Sequence, residues 1–64
     1  MTAGTTYAAY SDYEDASEVN RHADSTDDER TATAHVMAAY DLRAICERSD
    51  LAIVNAAGVR LGLW

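Results

Sequence analysis

Phenylalanine, proline and lysine are absent from this sequence, and cysteine and tryptophan occur once each. Without phenylalanine, a core has to be assembled mainly from Ala, Leu, Ile, Val, Met and Tyr. A single cysteine, Cys46, excludes an intramolecular disulfide and fits a reducing compartment or a thiol shielded by packing. The three glycines, Gly4, Gly58 and Gly62, are scattered, so there is no glycine-rich loop to cradle a phosphate. No run of Gly, Ser or Pro marks a linker and no second domain is visible. The 64 residues therefore read as one small domain, with residues 1–6 flexible. A domain this short buries only about 60% of its unfolded surface. With neither disulfide nor metal to help, it calls for a second copy or a protein partner.

Positive charge is also scarce. Eleven acidic residues stand against five basic ones, all arginine, for a net charge of −6. That balance opposes a non-specific grip on nucleic-acid phosphates and binding to an anionic membrane. It suits solubility, a basic protein partner, or imitation of nucleic acid. The N-terminal residues lack the basic and apolar regions of a signal peptide. The apolar stretch Leu51 to Trp64 is too short to span a bilayer and carries Asn55 and Arg60. These features point to a cytoplasmic protein, of a cell or an infected host, or to a component of a virus particle.

What is present is organised around residues 26–49. Thr26-Asp27-Asp28-Glu29 spells a capping box, in which Thr26 accepts from the Glu29 amide and Glu29 reaches back to the Thr26 amide. Asp27 and Asp28 suit the positive end of the helix dipole. Ala32, Ala34, Ala38, Ala39, Leu42 and Ala44 are mostly strong helix formers, which predicts a helix over 27–48. At about 100° per residue, Val36, Tyr40 and Ala44 share one face, while Ala34, Ala38, Leu42 and Ile45 form a second. A helix with two apolar faces needs cover on both, more than one short helix provides.

Before it, Tyr7, Tyr10 and Tyr13 recur at a spacing of three, interleaved with Asp12, Glu14 and Asp15. They read as rings covering the long helix or as an acidic-aromatic docking peptide. A helix within 6–22 is expected, its start either near Thr6 or at a second capping box, Ser11-Asp12-Tyr13-Glu14. After the long helix, Ser49-Asp50 reads as a break and a new cap. Residues 50–57 then form a short helix stopped by Gly58, with a hairpin over 51–63 as the rival reading. Val59, Leu61, Leu63 and Trp64 make an apolar tail, suited to a groove on a partner chain or to closing the Val36–Tyr40 face.

Ligand-type residues are present, but not in the patterns their chemistry needs. His22, Asp24, Asp27, Asp28, His35 and Cys46 contain neither the close pairs of a zinc site nor the alternating oxygens and central glycine of a calcium loop. The acids read as solvated turn and cap residues, and His35 and Cys46 as edge-of-core residues. A catalytic group needs a pocket that excludes water, which a chain this short can scarcely build. A helix-turn-helix reader is a poor fit, because Leu51 to Gly58 has no basic residue and only Asn55 to meet a base edge. Asp12, Asp15, Glu18, Asp24, Asp27, Asp28 and Glu29 concentrate negative charge in one third of the chain and leave nucleic-acid mimicry open.

The sequence thus predicts an all-α domain of two to three helices, at about 6–22, 27–48 and 50–57, completed by oligomerisation or a partner. It predicts non-catalytic protein–protein interaction, with no catalytic residue, cofactor, metal, small-molecule substrate, nucleic acid or membrane. The expected docking residues are Tyr7, Tyr10, Tyr13, Val36, Tyr40, Val59, Leu61, Leu63 and Trp64. A structural or accessory subunit, of a virus particle or other multiprotein complex, is the first reading. The alternative is a regulatory inhibitor docked on a host enzyme or nucleic-acid-binding protein.

Overall fold

The computed structural model describes residues 4–64 and consists of three helices and one two-stranded ribbon. In chain order these are β1 (Thr5–Tyr7), α1 (Tyr10–Asn20), α2 (Asp27–Asp41), β2 (Ile45–Glu47) and α3 (Arg48–Arg60). The fold is mostly helical, but the all-α expectation omits the ribbon. β1 and β2 pair antiparallel with Thr5 opposite Glu47, Thr6 opposite Cys46 and Tyr7 opposite Ile45. The Arg48 amide extends the ladder to the Gly4 carbonyl at 2.7 Å.

α2 begins where the capping box places it. The Glu29 amide donates to Thr26 Oγ1 at 3.1 Å, and the Thr26 amide donates to Glu29 Oε1 at 2.9 Å. It ends seven residues before the expected position 48, and the reason is local. Arg43 adopts a left-handed conformation (φ 54°). The Ala44 amide then donates to the Ala39 carbonyl and the Arg43 amide to the Tyr40 carbonyl, the double closure of a Schellman turn. Glycine is usual at that position, so an arginine there gives no warning in the sequence.

α1 starts at Tyr10, between the two expected starts. Ala9 is its N-cap, and the Asp12 carboxylate accepts from the Ala9 amide at 2.8 Å. Ala9 has no side-chain acceptor, so only this returning half of a capping box exists, and Ser11 lies within the first turn.

α3 is longer than 50–57 and excludes the hairpin. It runs through Gly58 and ends in a second Schellman turn, with Gly62 at φ 74°. There the Leu63 amide donates to the Gly58 carbonyl and the Gly62 amide to the Val59 carbonyl. The stop is thus Gly62, four residues after the expected one.

The three helices pack on one another around Ala16, Val19, Ala32, Val36, Val54 and Ala57. The largest wholly buried side chains are Val19, Val36 and Thr33. Thr33 ties α1 to α2: its hydroxyl accepts from Asn20 Nδ2 at 2.9 Å and donates to the Arg30 carbonyl at 2.7 Å. Arg60, at the end of α3, forks onto the Glu29 carboxylate in the first turn of α2 and onto the Asp24 carbonyl in the connector before it. His35 Nδ1 meets Asp50 Oδ2 at 3.2 Å, joining α2 to the first turn of α3. Both neighbours therefore run antiparallel to α2. The expected second apolar face of α2 does not acquire cover: Ala34, Ala38 and Leu42 are exposed.

Candidate functional site

One end of the molecule gathers the starts of α1 and α3, the end of α2 and the ribbon. Three of its tyrosines form a cluster. Helical spacing brings Tyr10 and Tyr13 onto one flank of α1, their rings stacked within 8° at 6.3 Å between centroids. Tyr40, from the last turn of α2, lies across both at 5.8 and 5.3 Å, tilted by about 50°. The α2 turn completes the arrangement by placing the Arg43 guanidinium over the Tyr40 ring, 5.2 Å from its centroid.

At the same end, in the ribbon, Tyr7 and Ile45 are cross-strand partners, so both side chains leave it on the face opposite Thr6 and the buried Cys46. Tyr7 is 70% exposed, Tyr10 58%, Leu42 76% and Ile45 53%. Scattered apolar residues at a surface need no explanation, but here four large ones are exposed at one end of a 64-residue chain.

The expected docking residues divide into three groups. Tyr7, Tyr10, Tyr13 and Tyr40 come together at this end, although Tyr13 and Tyr40 are half-buried by their mutual packing. Val36 is wholly enclosed in the core and has no surface to offer. The C-terminal residues lie on their own chain: Leu61 and Leu63 pack against the core, and Trp64 folds back over Gly58, with Nε1 donating to Asn55 Oδ1 at 3.0 Å. Val59 is exposed on α3, apart from them. Leu42, Ile45 and Arg43 were not expected at a docking surface. The sequence placed all three within a continuing helix, and only the turn at Arg43 brings them to this end.

A second grouping lies between α2, β2 and α3, where His35, Ala39, Ile45, Cys46, Glu47 and Asp50 line a cleft of about 330 Å³. A histidine–carboxylate pair beside a thiol invites comparison with nucleophilic catalysis. The electrostatics run the other way. Burial pushes the Cys46 thiol up, and the charges of Asp12 and Asp50 push it further, so it is held in the protonated, weakly nucleophilic form. Among the described residues, no group of three or more His, Cys, Asp or Glu side chains is arranged to hold a metal ion. No described helix is long and apolar enough to cross a membrane.

Comparison with protein-family models, curated proteins and solved structures finds no match to this chain.

Proposed function

We propose that this chain is a non-catalytic protein–protein interaction module, an accessory or structural subunit that docks through its tyrosine end. One observation carries the reading: Tyr7, Tyr10, Leu42 and Ile45 expose large apolar surface at the end of the molecule that also holds the Tyr13–Tyr40 cluster. Tyrosine and arginine are favoured interface anchors, because each combines a broad apolar body with a polar tip. The open Ala34–Ala38–Leu42 strip of α2 adds surface that a partner or second copy would cover. Assembly into a larger complex follows from that reading, and a small core, whose largest wholly buried side chains are Val19, Val36 and Thr33, supports it. A regulatory role, docking on a basic protein and blocking it, is favoured by a different observation: α1 contains four carboxylates and no base.

The test compares wild type with a triple variant, Tyr7→Thr, Leu42→Ser and Ile45→Thr, whose side chains are all exposed. Sedimentation velocity reads self-association, and pull-down with mass spectrometry from the source cells reads partners. Wild type should associate with itself or with a defined protein, while the variant keeps its circular dichroism and does neither. A monomeric wild type with the same captured proteins as the variant would sink the proposal.

A further inference from the structure

α1 carries tyrosines and carboxylates along a single flank. Tyr10, Tyr13, Glu14, Ser17, Glu18 and Arg21 line a groove of about 210 Å³. Their spacings of three and four make them one helical stripe. Tyr10 opens the groove with a largely exposed ring. Glu14 and Glu18 follow one turn apart, both exposed. Neither is neutralised: the ion pairs among the described residues are His35–Asp50 and Arg60–Glu29. The like charges on this helix already oppose one another. The Asp15 carboxyl is pushed up first by burial and then by repulsion from Asp12 and Glu18. The chain also provides an example of what suits the aromatic cluster, since its own Arg43 guanidinium lies over Tyr40.

We propose that the α1 groove receives arginine side chains from a basic segment of a partner protein. The guanidinium lies against the Tyr10 ring and donates to the Glu14 and Glu18 carboxylates. This rests on the reading of the tyrosine end as a protein-docking surface, and it names the partner's chemistry. A planar, weakly hydrated guanidinium stacks on a ring while forking onto carboxylates, which a compact ammonium does less well. Nucleic acid is disfavoured by charge, and so is a second α1, which would set two carboxylate-rich helices against each other. Arg21 shares the ligand's sign and closes the far end of the groove, so the bound cations lie over residues 10–18.

Titration of the ¹⁵N-labelled chain with hexa-arginine, hexa-lysine and a neutral Gly-Ser peptide tests this. Amide shifts should concentrate within residues 10–18, with hexa-arginine binding about threefold tighter than hexa-lysine. Glu14→Gln with Glu18→Gln should weaken hexa-arginine by about tenfold. Tyr10→Leu, which leaves the net charge alone, should abolish the arginine preference. Shifts spread equally over Asp24, Asp27, Asp28 and α1 would overturn the proposal, as would indifference to the paired glutamine variant. If hexa-arginine fails while the Tyr7, Leu42 and Ile45 variant still loses a partner, this assignment falls and the docking surface stands. If hexa-arginine binds at α1 but that triple variant loses no partner, the groove stands and the broader patch falls.

Discussion

At Gly58 a single hydrogen atom decides how the chain ends. The position lies inside α3, where alanine ordinarily stabilises by about 0.5–1 kcal/mol over glycine. A Cβ here would fall inside the volume of the Trp64 ring, which is seated on the glycine and fixed by its bond to Asn55. Gly58→Ala should therefore unseat the indole and red-shift the fluorescence of the only tryptophan. In a Trp64→Ala background the same substitution should change sign and stabilise by about 0.5–1 kcal/mol. Additive effects in that double-mutant cycle would show that the two residues do not meet. In the sequence Gly58 has the look of a helix stop, because a glycine that ends a helix and one that seats a ring are spelled alike. The choice is made by tertiary packing, which carries Leu61 and Leu63 onto the core only if α3 continues to Arg60.

At the scale of elements, the start of α2 was legible and its end was not. The Thr26–Glu29 box is written in residues whose side chains make the bonds, so it can be read directly. The Schellman turn at Arg43 is made by backbone groups, and its usual glycine is missing, so nothing announces it. The ribbon escaped for a related reason: three-residue strands are too short for alternation to register, and Cys46 and Ile45 looked helical. Long-range pairs were equally hidden. Glu29 was legible as a cap, but it also receives the Arg60 fork from the far end of α3. Thr26→Ala removes one acceptor and should cost about 0.5–2 kcal/mol. Glu29→Ala removes both the returning cap bond and the tie to α3, so it should lower the unfolding midpoint more than Thr26→Ala. Arg60→Ala should add little once Glu29 is gone, and full additivity in thermal melts would separate the two side chains.

Across the whole molecule, a small core makes its electrostatics consequential. The radius of gyration, 10.9 Å, is that of a compact chain of this length. Yet among the described residues no wholly buried side chain is larger than valine, and a domain of this size has only about 3–10 kcal/mol of stability in all. Two carboxyls then pull in opposite directions with pH. Asp15 is raised, mainly by burial against the Leu51–Val54 side of α3 and then by Asp12 and Glu18. A carboxyl raised in the folded state favours folding while protonated, and that contribution is lost as pH rises through its folded value. Glu29 is held low by the Arg60 guanidinium and then by the Thr26 amide. Its contribution is present above its ordinary value and is lost as pH falls through the folded one. Asp15→Asn should therefore raise the thermal midpoint at neutral pH, and the gain should vanish by pH about 3, where both side chains are uncharged. Glu29→Gln should lower the midpoint at neutral pH and converge on wild type in stronger acid. A gain from Asp15→Asn that persisted in acid would mean that shape, not charge, limits that site. The unrelieved repulsion on α1 would then lose its standing as a reason for a cationic partner to bind there.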